Sequence, residues 1–339
     1  MIKKTAKNSH IKKILFILTT LLLVIGFTAF LVKDKGFKTL AYSSDLFVTR
    51  WQTNVPGATD PTKVTLRFLK VATDTYEVSW NCDDNYELFY TSLATHNYPT
   101  AGTYDVCVRS TRPLRFYAPD LADDEKAKLL EIKQWGTIPW SSFMSAFKDM
   151  KNMQLTATDT PDLSNVTDMS YAFNGATAFT GHSSMNNWNT SNIKNMSYMF
   201  YGATSFNQYI GNWNTGNVTS MLYMFNAATN FNNGEASGAS NNTMNWNTQN
   251  VLNMAYMFYG AKAFNQKIGS WDTNNVSSMI GMFFNASTFN QYIGNWQTGK
   301  VTSMTYMFSG AVAFNNGDAP GASSKPLNWD TSKVTFMNN

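Results

Sequence analysis

One phrase returns along the second half of the chain and constrains the fold more than any other feature. It reads "NWNTSNIKNMSYMF" (187–200), "NWNTGNVTSMLYMF" (212–225), "NWNTQNVLNMAYMF" (245–258), "SWDTNNVSSMIGMF" (270–283) and "NWQTGKVTSMTYMF" (295–308). Its β-branched position falls at Val166, Ile193, Val218, Val251, Val276, Val301 and Val334, in steps of 27, 25, 33, 25, 25 and 33 residues. A unit near 25 residues cannot bury its apolar face alone, so a stacked solenoid with one shared core is predicted. In "MSYMFYGA" (196–203), Met196, Met199, Phe200 and Ala203 fall at helical spacing, which predicts a short helix ended near Gly202. "WNT" (213–215) predicts a strand with Trp213 and Thr215 on one face and Asn214 on the other. The apolar letters then form columns of one core, with Met filling irregular gaps. Asn and Thr supply turn bonds and, in register, bonds from coil to coil.

If Trp and Thr point inward, the residue between them points out. That column is Asn189, Asn214, Asn247, Asp272, Gln297 and Asp330, flanked by Asn187, Asn212, Asn245, Ser270, Asn295 and Asn328. Planar amides and carboxylates offer both donors and acceptors, which suits sugar hydroxyls, so this strip is the candidate ligand face. Lys and Arg are absent from both columns, which disfavours a polyanion there. The competing reading is a hydrated sheet whose amides bond only to one another. Two insertions, "NNGEASGASNNTMNW" (232–246) and "NNGDAPGASSKPLNW" (315–329), lie one 83-residue super-period apart. They read as exposed loops, grown neutrally because long loops cost little stability, or else as a rim for ligand contact. The chain ends inside a unit at "TSKVTFMNN" with no polar cap, which predicts a truncated array or an end that pairs with something.

The first 40 residues differ. Eight Lys and one Asp give them +7, so the remainder carries −3 of the total +4 and has no basic patch to track phosphates. Lys3, Lys4, Lys7, Lys12 and Lys13 precede the uncharged run "ILFILTTLLLVIGFTAFLV" (14–32). That predicts an N-terminal transmembrane anchor, or a signal segment cleaved near "TLA" (39–41), with the rest of the chain outside the cytoplasm. Charged residues make up only 14% of the chain, against roughly 25% in ordinary soluble domains, and nucleic acid is not an expected partner.

Between residues 45 and 118, "KVTLRFL" (63–69), "YEVSW" (76–80), "TYDVCV" (103–108) and "LRFYA" (114–118) alternate with period two and predict a small all-β domain. Tyr104, Val106 and Val108 would face inward. Cys82 shares phase with Val78 and Trp80, whereas Cys107 is out of phase with Tyr104 and Val106. A disulfide between Cys82 and Cys107 therefore needs a bend after Trp80. "NCDDN" (81–85) reads as a solvated turn, and His10, His96 and His182 are scattered, so no metal site or cofactor is expected. No phosphate loop or nucleophile elbow occurs, and the chain reads as no enzyme.

Two resemblances add to this. Trp80, His96, Tyr98, Gly102, Tyr104 and Val106 resemble the PKD family, an Ig-like β-sandwich, although Asn81, Cys82, Asp83 and Asp84 replace its usual Gly-Asp-Gly turn. "SFNQYIGNWNTGNVTSMLYMFNAATNF" (205–231) resembles the bacterial surface-protein repeats related to BspA-like leucine-rich repeats. That resemblance implies an exposed, adhesin-like surface protein and no catalytic residues. The expected organisation is a signal or anchor segment (1–40), a PKD-like sandwich (41–128), an atypical opening coil (129–163) and an LRR-like α/β solenoid (164–339). The expected function is adhesion to an extracellular glycan or protein, with membrane attachment through the N-terminal segment. The alternatives are a structural stalk or matrix protein without a discrete ligand and, last, a polysaccharide-acting enzyme.

Overall fold

The computed structural model describes residues 41–338, and from Ser43 onward the chain is one compact unit. Its first part is two sheets. The larger has the order β4 (Glu87–Phe89), β3 (Tyr76–Ser79), β6 (Thr103–Arg109), β1 (Phe47–Gln52), β8 (Leu129–Gln134) and β9 (Gln154–Leu155). The smaller is β5 (Leu93–Asn97), β2 (Lys63–Leu69) and β7 (Arg115–Phe116). β6 lies at the centre, pairing antiparallel with β1 and β3, and its Val106, Cys107 and Val108 are all buried. Burial on both faces is why its sequence is a continuous apolar run from Val106 to Val108 rather than a clean alternation. Cys82 lies beyond β3, in a turn where it takes φ +52°, and it is disulfide-bonded to Cys107 with the Cα atoms 5.1 Å apart. The helix α1 (Asp123–Lys128) follows, with acidic residues in its first turn and Lys in its last. Lys128 is fully buried there, donating to the carbonyls of Asp60 and Lys63 at 2.8 and 2.9 Å and paired with Glu125.

The sheet then changes into the repeats. β8 pairs antiparallel with β1 but parallel with β9. Beyond β9, single parallel bridges link Asp168, Asn195, Ser220, Asn253, Ser278, Ser303 and Phe336, one per unit. The segment expected to be helical is not. In unit 196–203, the N–H groups of Met196, Tyr198, Phe200 and Gly202 donate to Ser220, Leu222, Met224 and Asn226 of the next unit at 2.7–3.0 Å. The intervening N–H groups of Met199, Tyr201 and Ala203 donate three residues back, at 3.1–3.3 Å. Tyr198 and Gly202 sit at φ +59° and +67°, conformations that no α-helix contains. Successive four-residue turns still bring Met196, Met199, Phe200 and Ala203 to the core, all with no exposed surface. The apolar spacing was therefore real, but a chain of turns produces it as well as a helix does.

The expected LRR-like α/β solenoid is thus corrected: the units hold turns and isolated bridges, and α1 is the only α-helix among the described residues. The self-contained PKD-like sandwich is corrected too, because the larger sheet takes in β8 and β9 from beyond residue 128. The transmembrane anchor is also not supported, and with it falls the surface or secreted location inferred from it. No helix among the described residues is long and apolar enough to cross a membrane, and the run 14–32 lies outside the described residues.

One core runs through both parts. Phe116 of β7 stacks on Phe147, and the column continues through Phe173, Phe200, Phe225, Phe258, Phe283 and Phe308 with centroids 5.4–5.8 Å apart. A polar column runs beside it. Asn207, Asn232, Asn265 and Asn290 each accept, through Oδ1, the N–H of the Asn one unit on, at 2.7–2.8 Å. Each unit thereby satisfies the buried backbone of the next, which is what keeps the stack in register.

Candidate ligand-binding face

The candidate face is built by the corner around each Trp. Trp213, Trp246, Trp271 and Trp296 are buried at 2–4% exposure. Their indole N–H groups donate to carbonyls of the preceding unit, those of Met185, Ile210, Met244 and Ile268, at 2.7–3.1 Å. A buried indole needs such an acceptor, and the stack supplies one per step. The buried Thr two residues on also bonds across units. Thr190, Thr215, Thr248, Thr273 and Thr298 donate to the carbonyls of Asn214, Asn247, Asp272, Gln297 and Asp330 at 2.8–3.0 Å.

The residue between Trp and Thr is exposed in every unit: Asn189, Asn214, Asn247, Asp272, Gln297 and Asp330. The flanking column from Asn187 to Asn328 is exposed as well. These side chains are not loose. The Oδ1 atoms of Asn189, Asn214, Asn247, Asp272 and Asp330 accept the backbone N–H two residues on, at 2.9–3.2 Å. Such an Asx turn fixes which end of an amide faces the protein. In Asn189, Asn214 and Asn247 the NH₂ group is therefore the end left facing outward. Asp272 and Asp330 present carboxylates instead, and Gln297 spends its amide N–H on the Asn295 carbonyl at 2.9 Å, leaving its oxygen free. The strip thus has a donor half, at 189–247, and an acceptor half, at 272–330. The Ser332 N–H and hydroxyl hold the Asp330 carboxyl below the usual carboxylate range, so it is ionised at neutral pH.

Two of the candidates share a concavity. Asp272 and Gln297 line an open depression together with Gly269, Ser270, Trp271, Asn274 and Asn295. Asn189, Asn214, Asn247 and Asp330 lie elsewhere along the strip. Among the described residues no group of three or more His, Cys, Asp or Glu side chains could hold a metal ion.

Two residues at the edge of the face escaped the sequence reading. Tyr209 and Tyr292 donate their hydroxyls to Asn212 and Asn295 of the flanking column at 3.1 and 3.0 Å. The signal was there, since both stand in "NQYIGNW" one super-period apart. The insertions that follow them are ordered by their own amides. Asn232 donates to the Ala239 carbonyl at 2.9 Å, and Asn315 to the Ala319 and Ala322 carbonyls at 2.7 and 3.0 Å.

The family model for DUF285, described as a Mycoplasma protein of unknown function, matches residues 141–237 and 234–339, two tandem copies covering more than half of the chain. The chain belongs to the DUF285 family. This corrects the resemblance to BspA-like leucine-rich repeats, and no PKD match accompanies it. No curated protein and no solved structure gives a significant match. The first DUF285 match opens at Ser141, just before the turns at Phe143–Phe147, so in this chain the matched residues are the turn-and-bridge repeats.

Proposed function

We propose that this DUF285 protein is a non-enzymatic binding module whose amide strip contacts an extended glycan or protein polymer. The observation that carries the reading is the outward set of NH₂ groups at Asn189, Asn214 and Asn247, each held by an Asx turn on a corner tied to its neighbours. Preorganised donors lose little entropy on binding, and a linear array matches a linear ligand. The absence of Lys and Arg from both columns argues against nucleic acid. A second reading, a spacer without a ligand, draws on the same Asx bonds, since these would persist for structure alone.

The test replaces Asn214, Asn247 and Asp272 with Ser and Gln297 with Ala together. Ser retains a weaker turn bond, so the fold should persist by circular dichroism. Binding to an array of glycans and matrix proteins should fall strongly. A folded variant that binds as the parent does would make the strip a solvated face and move binding to the insertions, and a parent that binds nothing would leave the spacer reading.

A further inference from the structure

We propose that Tyr209 and Tyr292 are the aromatic platforms of two equivalent pyranose subsites, one per 83-residue period, an inference that rests on the strip being a glycan-binding face. The repeat tyrosines Tyr171, Tyr198, Tyr201, Tyr223, Tyr256, Tyr259 and Tyr306 all pack a ring against another aromatic ring. Tyr209 and Tyr292 are half-buried and make no ring contact among the described residues.

Each ring lies instead over a glycine. A Cβ added at Gly211 would stand 2.8 Å from Tyr209 Cε2, and one at Gly294 2.8 Å from Tyr292 Cε2. Any other residue there would first strike a backbone carbonyl of the insertion, that of Thr243 at 2.1 Å or Pro326 at 2.5 Å, and then the ring. The Tyr hydroxyl donates to the Oδ1 of Asn212 or Asn295, which leaves that amide's NH₂ beside the ring edge. The wall behind is equally fixed. Asn233 and Asn316, the second residue of each insertion, accept the N–H of Ile210 and Ile293 at 3.0 and 2.9 Å. Their NH₂ groups reach the far end of the same insertion, at Thr243 and Lys325. Every part recurs in both places: ring, glycine, oriented amide and braced loop.

A flat ring with oriented amides at its edge suits a pyranose. The sugar's C–H face covers the ring while its equatorial hydroxyls bond the amides. The two insertions are then walls of the subsites, and their spacing of one super-period follows from the subsites' spacing. Three units separate the two rings, and at about 4.8 Å per stacked chain they lie roughly 14 Å apart. One neutral oligosaccharide can therefore engage both.

The experiment titrates the full chain with oligomers of glucose and of N-acetylglucosamine, from dimer to hexamer. The longer oligomers should bind about a hundredfold tighter than the dimer, because the second contact is intramolecular. Tyr209→Ala and Tyr292→Ala should each bring the long oligomers down to dimer-like affinity, and the double variant should bind none. Tyr209→Phe keeps the stacking surface and should retain most of the affinity. All variants should melt with the parent, since neither ring is in the core. If the chain binds glycan and the double Ala variant binds equally well, the subsites are overturned while the strip reading stands. If the parent binds none of these oligomers, or only a protein, the subsites fall, while the strip reading is decided separately by whether the strip variant loses the parent's binding.

Discussion

Tyr223 stands at φ +57°, a left-handed conformation that ordinarily costs a side-chain-bearing residue about 1–2 kcal/mol. Its N–H bonds the Ala255 carbonyl at 3.0 Å, and its ring stacks between Tyr198 and Tyr256, with centroids 4.6 Å away on each side. Inter-unit bonding and stacking offset the strain, and the unit's turn depends on both. Burial, and then the neighbouring tyrosines, push its phenol up to about 12. An unfolded tyrosine ionises near pH 10, so the folded value is the higher one. The stability linked to the neutral phenol is complete below about pH 10 and is lost as pH rises through about 12. Ultraviolet difference titration should show several late-ionising phenols, Tyr76, Tyr98 and Tyr198 among them, and Tyr223→Phe should remove one phenol's share of that late change with little change in melting temperature. A second prediction concerns Thr215, whose hydroxyl donates to the Asn247 carbonyl at 2.9 Å. Thr215→Val keeps the shape and orphans a carbonyl beneath the strip. It should cost about 1–3 kcal/mol, read as a lower melting temperature.

At the scale of the element, each Trp corner is a unit of stability. Trp271 is buried, stacks on Trp246 at 5.9 Å and donates to the Met244 carbonyl at 3.1 Å. Trp271→Ala should cost about 3–5 kcal/mol, visible as a marked fall in the melting temperature. In the sheets, the Cys82–Cys107 bond closes a loop at a separation of 25 residues. By the chain-entropy argument its reduction should cost about 3 kcal/mol, measured as a shifted denaturant midpoint with and without reductant. These elements explain what the sequence could tell and what it could not. The inward Trp and Thr and the outward Asn214 or Asp272 were legible, because alternation at a corner survives whether or not a strand forms. The helix at 196–203 was misread, because alternate N–H groups leave the unit altogether, a partner choice that a single unit's letters do not encode. Tyr209 was missed because its role comes from Gly211 and from a loop more than twenty residues downstream, which meet only in three dimensions.

For the whole molecule, the question is whether the repeats need the sheets. Trp135, just after β8, packs against Phe47 of β1 at 5.8 Å and against Trp140, Phe143 and Trp188 at 6.2, 5.6 and 5.6 Å. Phe116 of β7 begins the stacked Phe column. The first repeats therefore bury their apolar face on the sheets, as each later repeat buries its own on the one before. Stacked repeats behave as a chain of nearest-neighbour interfaces, and an end unit without a neighbour is the weak point. A fragment beginning at Ser141, where the family match begins, would lose Trp135, Trp140 and Phe116 together and uncover Phe143, Phe147 and Trp188. The loss of even one buried aromatic of this size costs about 3–5 kcal/mol, a large part of a domain's net stability. The fragment 141–339 should bind a hydrophobic dye, and its first units should lose amide-exchange protection while the later ones keep it. It should also melt well below the full chain. A fragment that melts at the full chain's temperature, with uniform protection along its units, would mean that the repeats cap themselves and that the sheets are an independent attachment.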